Sequence, residues 1–330
     1  MQLQSSDISI AVTVYRRLDF LAEALDSAVH QTVPVKVLLY DDGCQDLPRL
    51  QAILARYGDR VEYRRNAKGL GLFGNMNASI AASPTSWMSI LHDDDRLASD
   101  FVERILEAAP QIDRCSLFCG RTTYLMPDGK AFHQTDPING PWRRLSPEQY
   151  ALRNWFPFPG QLFHAPTAHA VGGFPTHSIY TGDWELWFRL AMADGVVQLA
   201  ALTGFHRVHL GADRGTTAAA KSGRKAACCG MQVKRNFARL RAAGSPARFD
   251  RQQWLREYRP MYRDLLIYAW TMPRWLLRYN RRLLLMANPP GRITHLLSFL
   301  SRVAGSPALR LAGLARLLGT RAGLRMPQTF

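Results

Sequence analysis

Short apolar runs alternate with segments of helical periodicity through the first hundred residues. Ile8 to Val14 is rich in β-branched side chains, which predicts a buried strand. Phe20, Leu21, Ala24, Leu25 and Ala28 then recur at three- and four-residue intervals, predicting a helix with one apolar face. Val35 to Tyr40 predicts a second strand, Leu50 to Tyr57 a short helix, and Val61 to Tyr63 a third strand. Leu72 to Ala82 predicts a helix entered through a turn containing Gly69 and Gly71, and Trp87 to Leu91 a fourth strand. This alternation implies an α/β fold, a parallel, right-handed doubly wound sheet whose loops frame a cleft.

Acid stands at two of the strand ends. Asp41 and Asp42 follow the second strand, and Asp93, Asp94 and Asp95 follow the fourth. Adjacent carboxylates repel, and each favours protonation or exposure unless a cation neutralises the group. An exposed acidic turn is the alternative. Position favours a site, because open α/β sheets bind ligands outside the carboxyl ends of their strands.

Several short motifs stand in a fixed order along this region. They are Thr13-Val14-Tyr15, Gln31-Thr32, Asp41-Asp42-Gly43-Cys44, a turn from Gly71 to Asn77, and His92-Asp93-Asp94-Asp95 with Asp100 beyond. The set resembles glycosyltransferase family 2 over about residues 6–213, and that family's catalytic domain has the GT-A fold, a mostly parallel Rossmann-like sheet flanked by helices. The resemblance implies that Thr13, Tyr15 and Asp42 line the nucleotide base pocket with Asp41 close by, Asp93 lying on the same donor side. It implies that Asp94 binds a divalent metal, Mn2+ or Mg2+, with Asp95 able to supply a further ligand. Hard oxygen ligands suit either ion. His92 stands where many members have an aspartate, which weakens a two-carboxylate clamp.

Transfer with inversion needs a base for the acceptor hydroxyl. The segment from Thr181 to Leu190, TGDWELWFRL, resembles the family's EDW-x-LW-x-RL signature, and the family's base maps to Asp183, with Gly182 in place of a glutamate. Trp184, Trp187 and Leu190 recur at helical spacing, placing Asp183 in a first helical turn, where a helix cap is the alternative role. Glu185 is the second candidate base. Trp184, Glu185 and Gly173 fall on the acceptor side, together with Phe156 to Gly160, whose aromatic and proline content suits sugar stacking or an ordinary packed loop. After an apolar strand candidate, Val196 to Thr203, come His206, Arg207 and His209. Arg207 or His209 is within reach of the diphosphate or its metal if the loop from Leu210 to Thr217 closes.

Charge divides the chain. Residues 1–213 carry 19 Lys and Arg against 23 Asp and Glu, and residues 214–330 carry 23 against 3. The expected organisation is a catalytic domain, 1–213, with a nucleotide-sugar half (1–110) and an acceptor half (111–213), followed by a basic, amphipathic helical region, 214–330. Within that region Trp254, Tyr258, Met261, Tyr262 and Leu265 keep helical spacing, and Trp270, Trp275 and Tyr279 mix with Arg274, Arg278, Arg281 and Arg282. Trp, Tyr and Arg together suit an anionic membrane surface; helices packed on the catalytic domain or a second subunit are the alternative. Nucleic acid is not the expected partner, since the basic residues alternate with leucines and no zinc-finger spacing is present.

Five cysteines without paired C-x-x-C spacing predict free thiols in a reducing compartment. The start lacks the pattern of a secretory signal, and no apolar run approaches bilayer length. The expected location is therefore cytoplasmic, peripherally associated with the inner face of the plasma membrane. The resemblance implies a metal-dependent, inverting, hexosyltransferase-type enzyme. It would move a sugar from a nucleotide-diphosphate donor, a UDP-sugar by family weight, to a saccharide or lipid-linked acceptor in cell-surface polysaccharide or glycolipid synthesis. Its alternative is a catalytically degenerate GT-A scaffold or a nucleotide-binding interaction protein, which His92 and Gly182 raise.

Overall fold

The computed structural model describes residues 1–176, 180–209 and 224–248. The elements in order are β1 (Ile8–Val14), α1 (Leu21–Val29), β2 (Lys36–Asp41), α2 (Leu47–Leu54), β3 (Val61–Arg65), α3 (Leu72–Ala81), β4 (Trp87–His92), β5 (Arg96–Leu97) and α4 (Phe101–Ala108). They continue with β6 (Leu117–Leu125), β7 (Ala131–Gln134), β8 (Trp142–Leu145), α5 (Pro147–Leu152), β9 (Leu162–His164), α6 (Ala165–Ala170), α7 (Gly182–Ala193), β10 (Val196–Arg207) and α8 (Arg224–Ala242). The chain forms two compact units, Met1–Leu210 and Gly211–Phe330. Every strand named above lies in the first.

One sheet runs in the order β3-β2-β1-β4-β9-β6-β10-β5, with β7 on β6 and β8 on β10. The long ladders β1–β2, β2–β3, β1–β4 and β6–β10 are parallel. β9 is inserted antiparallel between β4 and β6. All seven residues of β1 are buried, which is why its sequence is a continuous apolar run rather than an alternation. Ile8, Ile10, Val12 and Val14 share one core with Leu21 and Leu25 of α1 and Phe101, Val102 and Ile105 of α4. Each such side chain contributes about 1.5–3 kcal/mol by burial.

Two features depart from the apolar pattern. α2 starts at Leu47, ahead of the expected Leu50, because the Asp46 side chain accepts from the Arg49 amide as an N-cap and Pro48 stands in the first turn. β10 extends to Arg207, past the expected end at Thr203, through register shifts on either side of Leu202. There the FPFPG loop approaches very closely. A Cβ on Gly204 would come within 2.7 Å of the Pro159 carbonyl oxygen, and one on Gly160, at φ +78°, within 2.5 Å of the Thr203 backbone. Only glycine admits that contact.

In α8, Cys229, Gln232, Val233, Asn236 and Leu240 are buried at helical spacing, while Lys234, Arg235 and Arg241 are exposed. Gln232 Nε2 donates to Asn236 Oδ1 at 2.8 Å. The amphipathic segments from Trp254 onward and the loop from Leu210 to Thr217 lie outside the described residues. Among the described residues no helix is long and apolar enough to cross a membrane. No disulfide joins the five cysteines.

Candidate functional site

Parallel pairing brings the carboxyl ends of β1, β2 and β4 to one edge. Thr13 is in register with both Tyr40 and His92, so the segments after Val14, Asp41 and His92 emerge side by side. Thr13 Oγ1 lies 3.3 Å from His92 Nδ1 and 3.4 Å from the Leu91 carbonyl. The His92 ring stacks on Phe158 with centroids 4.3 Å apart. Burial lowers its pKa against the opposing pull of the Asp95 and Asp94 charges, so a neutral imidazole ends this strand. Tyr15 is exposed, with the Arg16 guanidinium 4.7 Å from its ring centroid.

The two aspartates after β2 divide their work. Asp41 is 0% exposed and all its oxygens are engaged. Oδ1 accepts from the amides of Gly43 (2.9 Å) and Cys44 (2.6 Å), and Oδ2 from Tyr63 Oη (2.7 Å) and Arg65 Nη1 (2.6 Å). Asp41 shapes the turn, with both oxygens taken by these four donors. Asp42 Oδ1 accepts from Asn66 Nδ2 and the Leu70 amide, and Oδ2 from the Gly71 amide. That carboxylate holds the glycine-rich entry to α3 against the end of β2.

The acidic triplet is more open. Asp94 Oδ2 receives two nitrogen groups from distant parts of the chain, Arg17 Nη2 at 2.6 Å and His209 Nε2 at 2.8 Å. Burial alone would raise the Asp94 pKa, but the His209 hydrogen bond and the Arg17 charge outweigh it and hold the carboxyl below its usual range. Asp93 is pushed the other way, to about 7, first by burial and then by the Asp94 charge, with Arg17 (3.8 Å) and the Tyr15 amide opposing.

Asp95 serves a different end. It is 1% exposed, accepts from the Arg207 amide at 2.9 Å and sits 3.2 Å from His206 Nδ1. In this structure its oxygens clamp the end of β10 to the triplet. Arg207 is equally committed. Its guanidinium donates to the carbonyls of Asp94 (3.0 Å) and Pro127 (3.2 Å) and to Glu23 Oε2 (2.7 Å), and lies 4.0 Å from the Phe20 ring centroid. It is a strut rather than a phosphate ligand. Arg207→Met keeps the bulk but leaves two carbonyls without their donor, so unfolding free energy measured in urea should fall by about 2–4 kcal/mol. An unchanged urea midpoint would refute the strut.

α7 brings the remaining carboxylate. Its N-cap is Thr181, so Asp183 lies inside the first turn and the cap alternative does not hold. Asn154 Nδ2 donates to Asp183 Oδ2 at 2.9 Å. Trp184 and Glu185, expected on the acceptor side, are 2% and 3% exposed. That expectation is corrected: Trp184 donates its indole N–H to the Tyr150 carbonyl at 2.6 Å and both side chains are core beneath Asp183. Gly173, at φ +62°, shapes the adjoining turn. Asn77 of α3 pairs with both backbone groups of Phe174, at 2.7 and 2.8 Å, and Arg189 donates to the carbonyls of Val171 and Gly173.

The missing glutamate at Gly182 has a steric cause. A Cβ there would lie 2.4 Å from the Phe73 ring, which is stacked on Phe174 at a 1° interplanar angle. Gly182→Ala should lower stability by about 1–3 kcal/mol through overpacking, outweighing the usual helical gain. A raised melting temperature would contradict this. The same aromatic layer links the parts of the site, since Phe158 meets His92, Phe174 and Trp187.

Among the described residues no three or more His, Cys, Asp or Glu side chains converge as a metal-holding group. Asp94 and His209 do converge. One carboxylate oxygen and one imidazole fit a divalent ion whose other ligands come from phosphate and water. Arg17 and Asn154 escaped the sequence reading, although a cation three residues beyond β1 stands at the same sheet edge as the acid.

A mostly parallel sheet with acidic loops at these strand ends is the GT-A fold of glycosyltransferases. Crystal structures of S. aureus TarS 1-349 share it: the one in complex with UDP-GlcNAc superposes at TM-score 0.55 with 12% identity, covering 95% of this chain and 92% of that one. The one in complex with UDP superposes at 0.51 with 13% identity, covering 98% and 94%. Residues 9–172 match the sequence model of glycosyl transferase family 2, and the chain belongs to that family. An uncharacterized glycosyltransferase of Rickettsia typhi is 27% identical over 199 residues, covering 57% of this chain and 60% of that protein's length. The succinoglycan biosynthesis protein ExoO of Rhizobium meliloti is 31% identical over 105 residues, 31% of this chain and 30% of ExoO.

Proposed function

We propose that the protein is a metal-dependent, inverting glycosyltransferase of the hexosyl type. It takes a nucleotide-diphosphate sugar, a UDP-sugar, and glycosylates a saccharide or lipid-linked acceptor in cell-surface polysaccharide or glycolipid synthesis. The observation that carries this reading is the meeting of Asp94 with His209 at the sheet edge, 115 positions apart in sequence. The binding of UDP-GlcNAc and UDP by TarS supports the choice of donor, and the name of ExoO supports the pathway class.

In this reading Thr13, Tyr15 and the loop held by Asp42 cradle the base, and Asp93 borders the donor. Asp94 and His209 hold Mn2+ or Mg2+. When bound, that ion supplies positive charge to the departing diphosphate. Asp183, oriented by Asn154, accepts the proton of the acceptor hydroxyl as it attacks the anomeric carbon. Trp184 and Glu185 fix the helix that presents it.

Thermal melts of the full chain with a panel of nucleoside diphosphates, with and without Mn2+, test the donor site. UDP should raise the melting temperature more with Mn2+ than without it. No shift with any nucleotide would sink the reading. The basic region is assigned to an anionic membrane surface on its charge and its Trp, Tyr and Arg content. Salt-sensitive binding to anionic vesicles, lost on deleting residues 245–330, is expected; no binding at low salt would remove the assignment.

A further inference from the structure

Two groups compete for one oxygen. Asp94 Oδ2 is 2.6 Å from Arg17 Nη2 and 2.8 Å from His209 Nε2, and Arg17 also lies 3.8 Å from Asp93 Oδ1. The side chain of Arg17 is 52% exposed and that of Asp94 only 11%. Arg17 therefore approaches from solvent and covers the face of Asp94 that a dissolved cation would meet. The neighbouring Arg16 is engaged differently, on the ring of Tyr15.

We propose that Arg17 is an internal counter-cation, pairing with Asp94 while the cleft is empty and moving to the diphosphate when a divalent ion and a nucleoside diphosphate bind together. The proposal rests on the donor-site reading above. A divalent ion arriving alone must displace the guanidinium, leaving two positive groups side by side and Arg17 without an anion. An ion arriving with a diphosphate offers the planar guanidinium of Arg17 a bidentate anionic partner close to the carboxylate it leaves. Metal and nucleotide then strengthen each other's binding, and the coupling is reciprocal. Free metal is held weakly, so the site closes on the complex and not on the ion.

Binding of Mn2+ alone, followed by electron paramagnetic resonance, and titration of UDP by calorimetry in Mn2+ or in EDTA, separate these contributions. For the wild type, Mn2+ should tighten UDP binding by about fivefold or more. In Arg17→Gln, Mn2+ alone should bind tighter than to wild type by a similar factor, and the Mn2+ enhancement of UDP binding should shrink correspondingly. Arg17→Lys keeps the charge but not the planar fork, so Mn2+ alone should stay weak while part of the enhancement is lost. Arg17 is half exposed, and matching melting curves in EDTA will show that its variants fold. An unchanged Mn2+ affinity and enhancement in Arg17→Gln would overturn this inference and leave the donor site standing. Absence of Mn2+ binding by the wild type with or without UDP, or wild-type Mn2+ binding by Asp94→Asn, would overturn both.

Discussion

Asp183→Asn should remove sugar transfer, lowering kcat by a factor on the order of 10²–10⁴, the range for loss of a positioned base, while UDP binding stays near wild type. The geometry favours so clean a separation. Asp183 is not the N-cap of α7, so replacing it leaves the helix start intact, and its contact on Oδ2 is the Asn154 amide, which an asparagine oxygen can still accept. Asp41 and Asp42 shape the β2 turn and the entry to α3. Transfer is read as UDP release from the UDP-sugar that stabilises the fold, and folding as the melting temperature. Near-normal turnover would remove Asp183 from the base role, and a large loss of UDP binding would make it part of the nucleotide pocket.

The α/β alternation was legible because β1, β2 and β4 are buried on both faces and α1 on one, so local apolar pattern and tertiary position agree. β9 was not legible: three residues carry no period, and their place between β4 and β6 is decided by the sheet. In the site, residue type showed where acid gathers but not which carboxylate stays open. Asp93, Asp94 and Asp95 are equivalent as letters, yet Asp95 is consumed by the backbone of β10 and Asp94 is left facing Arg17 and His209. The choice depends on a strand that ends more than a hundred residues later. Trp184 shows the same limit from the other side. It was expected on the acceptor side with Asp183, but the helix that leaves Asp183 partly exposed turns the next residue inward to the Tyr150 carbonyl. Gly182 was visible as a departure, and its cause, the ring of Phe73, was not, because the two meet only in three dimensions.

In a chelating buffer at neutral pH, Asp93→Asn should be more stable than the wild type. Asp93 is 7% exposed, and burial followed by the Asp94 charge pushes its pKa from an ordinary 3.8 to about 7, Arg17 only partly opposing. The folded protein thus holds this proton more tightly than the unfolded chain does. The stabilisation that protonated Asp93 allows is fully present below about pH 4 and is lost as pH rises toward 7, by up to about 4 kcal/mol. Asparagine cannot ionise, so the variant lacks that decline. Asp94 works in the opposite sense, since its pKa is held below the ordinary value; its stabilisation is present above that value and is lost in acid, in both proteins alike. The difference in melting temperature between variant and wild type should therefore be small near pH 4 and grow to a plateau above pH 7. A difference constant across that range would show that Asp93 is already ionised in the folded state. Saturating Mn2+ with UDP should narrow the gap at pH 7.5, because a cation beside the triplet relieves the repulsion that keeps Asp93 protonated.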